Sequence, residues 1–129
     1  MTGDAELTGR CNCGQVRFRA KGPFRAAKAC HCKTCRRQSG HFLAATQVDR
    51  ADVAIEGEEN LVWYAASADA RRGFCGTCGA HLFWEPAGSA RLSIFMGSLD
   101  EPTGILLADH IFVAEKGDYY EITDGLPQR

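Results

Sequence analysis

Hydrophobic and polar residues alternate along several short stretches of this chain, and that alternation predicts half-buried β-strands. Every second side chain is apolar in residues 16–21, VRFRAK, and the same holds for residues 92–97, LSIFMG. Further short runs predict five more strands, at Phe42–Val48, Val53–Glu56, Leu61–Ala65, His81–Glu85 and His110–Ala114. Only Lys33–Gln38 predicts a helical turn.

Turns that contain Gly, Asp or Pro separate these strands, which is typical of antiparallel β-proteins. Many short strands at even spacing favour a mainly β fold, either an antiparallel sandwich or a tent of sheets. The chain has 129 residues, close to the commonest domain size, so we expect residues 1–129 to form a single domain.

The composition excludes some classes of function. The net charge is −1 without a block of like charges, so we expect no nucleic-acid partner, and we interpret the pairs Arg36-Arg37 and Arg71-Arg72 as solvated surface. No stretch approaches the roughly 18 consecutive apolar residues of a membrane span, and the polar first ten residues lack the apolar core of a signal peptide. We therefore expect a cytoplasmic protein without a membrane partner, either a monomer or a homodimer.

Seven cysteines are the main chemical signal. An odd number fits a disulfide framework poorly, and clustered cysteines without a secretion signal are more often metal ligands or catalytic groups. They fall into three clusters: Cys11-Asn12-Cys13, Cys30-His31-Cys32-Lys33-Thr34-Cys35 and Cys75-Gly76-Thr77-Cys78. Two pairs and a triplet of this kind predict zinc-binding knuckles.

The C-x-x-C pair Cys75/Cys78 is half of a tetrahedral zinc site and needs two more thiolates. The pair Cys11/Cys13 supplies them with no cysteine left over, because Cys30, Cys32 and Cys35 then remain together. Completion of the knuckle by Cys30/Cys32 or by Cys32/Cys35 stays open as an alternative.

The triplet is the candidate functional site, because three protein ligands with an open fourth position are the catalytic arrangement of zinc. Three thiolates make the ion a poor activator of water but a suitable partner for the soft sulfur of a substrate thiol. The neighbouring cations Lys33, Arg36 and Arg37 are candidate ligands for the carboxylates of a peptide-like thiol such as glutathione, or else solvated surface.

Four histidines complete the set of candidate groups. His31, between two ligand cysteines, could close the metal site, but its adjacency would strain that geometry. We interpret His41 as a surface residue, His81 as structural or exposed, and His110 as a buried, hydrogen-bonded side chain, with a proton-donor or pocket role as the alternative.

These motifs resemble the glutathione-dependent formaldehyde-activating enzyme family, also called the centromere protein V/Gfa domain family. The resemblance rests on segments that run in family order along nearly the whole chain: GRCNCGQVRF at residues 9–18, CHCKTCR at 30–36, RGFCGTCG at 72–79, GSLD at 97–100, HIFV at 110–113 and DGLP at 124–127.

The resemblance implies a tent-like arrangement of antiparallel sheets and two zinc sites. One is a structural zinc on Cys11, Cys13, Cys75 and Cys78, and the other is a catalytic zinc on Cys30, Cys32 and Cys35. The implied activity is that of a carbon–sulfur lyase of the S-(hydroxymethyl)glutathione synthase type, which joins glutathione to formaldehyde.

Three hypotheses of function follow from the sequence. In the first, the open site binds a thiol as thiolate, which adds to a small aldehyde or is released from the adduct. In the second, both metal sites only stabilise a non-catalytic binding module of the same fold. In the third, the triplet is a redox or metal-buffering group.

Overall fold

Ten strands form two β-sheets in a computed structural model that describes residues 5–129. Residues 1–4, part of the segment tested above for a signal peptide, lie outside the described residues. The strands are β1 Glu6–Arg10, β2 Arg17–Lys21, β3 Ala27–Cys30, β4 Leu43–Asp49, β5 Val53–Glu56, β6 Leu61–Tyr64, β7 Ala70–Cys75, β8 His81–Pro86, β9 Arg91–Phe95 and β10 Leu107–Ile111. The helices are α1 Lys33–Ser39 and four 3₁₀ turns, Arg50–Asp52, Glu58–Asn60, Met96–Ser98 and Val113–Glu115.

The smaller sheet has the strand order β1-β2-β5, and the larger has the order β10-β3-β4-β9-β8-β7-β6. Neighbouring strands are antiparallel except for β10 and β3, which run parallel. The mainly β architecture of antiparallel sheets predicted from the sequence is confirmed, with one parallel pair that makes the larger sheet mixed.

The hydrophobic core joins the two sheets. Phe18 and Ala20 of β2 are buried, as the alternation of residues 16–21 predicts. The ring of Phe18 meets the ring of Phe83, on β8 of the larger sheet, edge to face at a centroid distance of 5.2 Å. Aromatic contact of this kind fixes the smaller sheet against the larger one and thereby sets the positions of the turns at their ends.

Strand β9 departs from the half-buried pattern. Ser93 and Phe95, expected on its solvent face, are each 5% exposed. The reason is position, because β9 lies between β4 and β8 in the middle of the larger sheet, and Ser93 and Phe95 line a recessed cavity instead of the outer surface. The alternation also stops at Phe95, since residues 96–98 form a 3₁₀ turn.

The last strand lies earlier than predicted. It spans Leu107–Ile111 rather than His110–Ala114, because Phe112 has a φ of 56° and cannot continue an extended strand. Three strands were missed altogether: β1, β3 and β7. In β3 the alternating residues facing the core are alanines, which give a weak hydrophobic signal.

The predicted helical turn is the helix α1. Its N-cap is Cys32, whose sulfur accepts a hydrogen bond from the backbone N–H of Cys35. Within residues 5–129 no helix is long and apolar enough to cross a bilayer.

Candidate metal centres

Two hairpin turns, one from each sheet, bring four cysteines together. Cys11 and Cys13 lie in the turn between β1 and β2, whereas Cys75 ends β7 and Cys78 lies in the turn to β8. In each turn the backbone N–H of the first cysteine donates a hydrogen bond to the carbonyl five residues later. The N–H of a glycine in the turn then donates to the carbonyl of that first cysteine. The repeated turn geometry aims both pairs of sulfurs at one point.

The spacing of these sulfurs fits zinc. The sulfur of Cys13 lies 3.6 Å from that of Cys11 and 3.8 Å from that of Cys75. Thiolates about 2.3 Å from a tetrahedral zinc ion are about 3.8 Å from one another. All four sulfurs lie within 4.8 Å of one another. The cluster could therefore hold one metal ion that ties the two sheets together.

Backbone amides prepare this cluster for a cation. The backbone N–H of Val16 donates to the Cys11 sulfur, and the backbone N–H groups of Thr77 and Cys78 donate to the Cys75 sulfur. The backbone N–H of Ala80 is the main group that lowers the pKa of Cys78, to about 6. Amides of this kind stabilise thiolates, which are the form that binds metal.

The second cluster forms where β3 passes into α1. Cys30 ends β3, Cys32 caps the helix and Cys35 lies in its first turn, and their three sulfurs lie within 4.8 Å of one another. The structure thus groups the sulfurs as four and three, rather than joining part of the triplet to the knuckle. Their role as ligands stays a prediction that this geometry supports.

The three thiols of the second cluster are not equivalent. A hydrogen bond from Cys30 is the largest cause that lowers the pKa of Cys35, to about 5, and the Arg72 guanidinium adds to the shift. The same bond, together with burial, raises the pKa of Cys30. Of these two hydrogen-bonded thiols, Cys35 is therefore the one that carries negative charge first.

Arg72 contradicts the interpretation of Arg71-Arg72 as solvated surface. Adjacent residues of a strand point to opposite faces, so Arg71 is exposed whereas Arg72 is only 7% exposed. A nitrogen of its guanidinium donates to the Cys35 sulfur over 3.4 Å. Among the described residues no carboxylate lies within ion-pair distance of Arg72, so the thiolate is its counter-charge.

All three cysteines of the triplet line one cavity of about 470 Å³. That volume is in the range of small-molecule sites. Three cations line it as well, namely Arg25, Lys28 and Arg72, and none of its described lining residues is acidic. Sequence reasoning missed Arg72 because only the fold brings β7 to the cysteines. Lys28 was missed although a local signal exists, because it lies two residues before Cys30 on β3 and therefore shares a face with it.

The cations proposed from the sequence lie elsewhere. Lys33, Arg36 and Arg37 are not among the described residues that line the cavity. The guanidinium of Arg36 donates to the backbone carbonyl of Glu115 over 2.9 Å, and the backbone N–H of Lys33 donates to the carboxylate of the same residue. Both contacts fix α1 to the 3₁₀ turn that follows β10, so their predicted contact with substrate stays a prediction.

His31 points away from the triplet and into a buried polar network. One ring nitrogen lies 2.6 Å from the Tyr120 hydroxyl and the other 2.9 Å from a ring nitrogen of His110. His110 in turn lies 2.7 Å from the Asp124 carboxylate. Both nitrogens of His31 are thus engaged, which excludes it as the fourth ligand in this arrangement.

The other histidines agree with their interpretation from the sequence. His110 is buried and hydrogen-bonded, and His41 is exposed, with its ring beside the Tyr119 hydroxyl. His81 is half-buried in β8, and burial is the main cause that lowers its pKa.

Comparison with known proteins points to one family. A sequence model of the glutathione-dependent formaldehyde-activating enzymes matches residues 6–115. A Halomonas elongata protein provisionally named as such an enzyme is 28% identical over 130 aligned positions, which cover 90% of this chain and 80% of that protein. An uncharacterized lyase of Schizosaccharomyces pombe is 34% identical over 80 positions, which cover 61% of this chain and 57% of the lyase. A crystal structure of a Rhodobacter sphaeroides protein superposes with a TM-score of 0.63 at 27% identity, covering 74% of this chain and 89% of that one.

Proposed function

This chain belongs to the glutathione-dependent formaldehyde-activating enzyme family, and on that basis we propose that it is a zinc-dependent carbon–sulfur lyase. The proposed reaction is the reversible addition of an anionic thiol, of which glutathione is the type, to a small aldehyde. Its site is the cavity that contains Cys30, Cys32 and Cys35. The names of the family and of the Halomonas elongata relative support an enzyme that acts on a thiol and an aldehyde, and the name of the Schizosaccharomyces pombe relative supports a lyase.

One observation carries the proposal: an incomplete set of metal ligands and three cations share a single cavity. The three sulfurs occupy at most three corners of a tetrahedron, and His31, the histidine between two of them in the sequence, is turned away from them. A ligand from outside can therefore take the fourth corner, and the cations select for one that carries negative charge.

The donor set fits zinc, and zinc bound there would favour the thiolate form of a substrate thiol at neutral pH. The chain itself has to bind the substrate and to stabilise charge. In the direction of synthesis the substrate sulfur bonds to the carbonyl carbon and the π electron pair moves to the oxygen. That oxygen takes up a proton to replace the one lost by the thiol, so the addition needs no other reactant.

Arg72 is the residue placed to stabilise the charge on that oxygen. It lines the cavity, and the only side-chain hydrogen bond found for it within the described chain is the one to Cys35. Its remaining N–H donors are available to a carbonyl oxygen that becomes negative during addition. Donors fixed in a water-poor site stabilise such charge more strongly than water does.

Arg25 and Lys28 are the residues placed to hold the carboxylates of the thiol. Burial, and secondly the charge of Arg91, lower the pKa of Arg25, so a carboxylate beside it would offset an existing electrostatic cost. Lys28 already pairs with the buried carboxylate of Asp109 over 3.0 Å, which fixes its ammonium group at the cavity. We assign the stronger contribution to Arg25, since within the described residues no carboxylate lies at ion-pair distance from it and Asp109 acts on it only from farther away.

The test compares two cysteine variants with the zinc-loaded protein. Cys32→Ser removes a ligand of the open site but keeps helix α1, because serine is also a favoured N-cap. Cys78→Ser, at an equally half-buried position, removes a ligand of the four-cysteine cluster. Exchange between free and aldehyde-bound glutathione, followed by NMR, measures the reaction above its spontaneous rate.

We expect two zinc ions per wild-type chain and acceleration of the exchange. Cys32→Ser should abolish the acceleration while the melting temperature changes little, whereas Cys78→Ser should lower the melting temperature by more than about 10 °C because a structural zinc contributes directly to folding. Unchanged acceleration in Cys32→Ser would refute the enzymatic role of the triplet. If the wild type does not accelerate the exchange and the cysteine variants only lose stability, the non-catalytic binding module would be favoured. The single domain, the cytoplasmic location and the monomeric or dimeric state stay predictions.

A further inference from the structure

Much of the cavity wall is apolar, and a one-carbon aldehyde does not need such a wall. The larger apolar side chains in the wall are Leu43, Trp84, Phe95, Ile111 and Phe112. Formaldehyde has two heavy atoms and can cover only a small part of them. Apolar surface that faces water carries a free-energy cost, which is recovered when an apolar group of a ligand covers it.

Phe112 is an exposed part of this apolar wall and lies at the rim of the cavity. It follows directly after Ile111, which pairs with Cys30 in the parallel ladder, so it lies close to the strand that ends in the triplet. Its side chain is 55% exposed and its φ is 56°, a value that large side chains rarely adopt. Strained residues of this kind cluster at ligand sites, and an exposed aromatic ring beside a cavity gains contact area only when a ligand is present.

The floor of the cavity leaves room between the aromatic rings. Trp84 is paired across the sheet with Ser93, and Phe95 is paired with Ala45. Both partners are small and both line the cavity. Large rings on β8 and β9 with small side chains beside them leave a space that an alkyl chain or an aromatic ring can fill.

We infer that the aldehyde component of the substrate carries an apolar substituent, either an alkyl chain of several carbons or an aromatic ring. The inference rests on the proposed function and narrows its substrate class. The bonds that form and break are those given above, with the apolar group in place of a hydrogen atom on the carbon that bonds to sulfur. The cations take the charged groups of the thiol, and the apolar wall takes the substituent.

The experiment measures binding without turnover. S-methyl-, S-butyl- and S-benzylglutathione are thioethers, which cannot give up a thiol proton, so calorimetric titration of the zinc-loaded protein reports only the fit of the cavity. Affinity should rise by roughly fourfold for each added methylene group, up to about 60-fold from S-methyl to S-butyl. S-benzylglutathione should bind at least as tightly as the butyl compound.

A variant at the rim makes the test specific. Phe112→Gly removes the ring and suits the backbone, because glycine adopts a positive φ without cost. It should reduce the difference in affinity between the methyl and benzyl compounds at least fivefold. Leu106→Ala is the matched control. Leu106 is exposed and apolar like Phe112 and directly precedes β10, whereas Phe112 directly follows it, and Leu106 is not among the described residues that line the cavity. It should leave the series unchanged.

Two results would overturn the inference: equal affinities across the wild-type series, or a series that Phe112→Gly and Leu106→Ala alter equally. Turnover is measured separately, with formaldehyde and with butanal in the NMR exchange assay. A flat binding series with accelerated exchange of formaldehyde would overturn this inference alone. No acceleration with either aldehyde would overturn the proposed function. A higher rate constant with butanal than with formaldehyde would support both.

Discussion

Replacement of Arg72 by methionine tests whether the open cysteine cluster is an anionic metal centre. Three thiolates and one zinc ion carry a net charge of −1, and Arg72, 7% exposed, is the cation that contacts them. A buried guanidinium needs an anionic partner, and within residues 5–129 that partner is the sulfur of Cys35. Methionine keeps most of the volume and removes the charge.

The structure sets the size of the expected effect. Opposite unit charges 3.4 Å apart attract by about 5 kcal/mol at an effective dielectric constant of 20. Loss of hydration cancels part of that attraction, and a hydrogen bond to a charged group contributes about 2 kcal/mol net. Since the same contact is present without zinc, this value is an upper limit, and we expect Arg72→Met to weaken zinc binding at the triplet by up to about thirtyfold. The free energy of unfolding of the metal-free protein should fall little, since the variant also removes a buried charge.

The assay is competition for zinc against a chelating indicator, with cadmium NMR to separate the four-thiolate site from the three-thiolate site. Arg71→Met is the matched control, because Arg71 is on the same strand but its guanidinium pairs with Glu85 over 2.7 Å and stacks on Trp63 at 4.0 Å. The control should leave the affinity of both sites within a factor of two. Equal zinc affinity at the triplet in Arg72→Met and wild type would refute the electrostatic argument.

Three further predictions concern stability. Gly57→Ala should lower the free energy of unfolding by about 3 kcal/mol, because φ is +76° and the new methyl group would overlap a backbone carbonyl of the β1–β2 turn. Gly88→Ala, with a φ of +70° in open space, should lower it by only about 1 kcal/mol. Urea titration of both variants measures the difference. Equal losses would contradict the steric part. Tyr120→Phe should lower the free energy of unfolding by about 1–2 kcal/mol, because it removes the hydroxyl bonded to buried His31. Tyr119→Phe, which removes a hydroxyl beside exposed His41, should lower it by less than about 0.5 kcal/mol. Calorimetry measures both, and the reverse order would contradict the role of the His31 network. Chelation of all zinc should lower the melting temperature by more than 10 °C, and no change would exclude a structural metal.

The grouping of the cysteines could be predicted because its signals are local. A C-x-x-C turn and a C-x-C turn each present two sulfurs on one side, whichever fold surrounds them. The count of seven then favours four and three, and the structure brings the sulfurs of Cys11, Cys13, Cys75 and Cys78 together in that way. The alternation of residues 16–21 is local as well, and the burial of β2 follows it.

Most of the cavity could not be predicted because it depends on sheet order, and only Lys28 is placed beside Cys30 by the alternation within β3. Arg25 precedes β3 and Lys28 lies on β3, whereas Arg72 lies on β7, and three strands separate β7 from β3 in the sheet. In the sequence Arg72 is one of two adjacent arginines, and only the register of β7 decides which of them turns inward. Lys33 and Arg36 were chosen because they are close to the cysteines along the chain, yet the guanidinium of Arg36 and the backbone N–H of Lys33 both contact Glu115, which is not among the described residues that line the cavity.

The segment from Cys30 to Cys32 explains why the open site needs the C-terminal part of the chain. Consecutive residues of extended backbone point to opposite sides, so sulfurs at 30 and 32 face the cavity while the ring of His31 faces the network behind it. That ring is held by Tyr120 and, through His110, by Asp124. A network that fixes the middle residue from behind also fixes the two sulfur-bearing residues in front. The sulfurs can therefore keep a three-cornered arrangement without a fourth side chain of the protein to complete it.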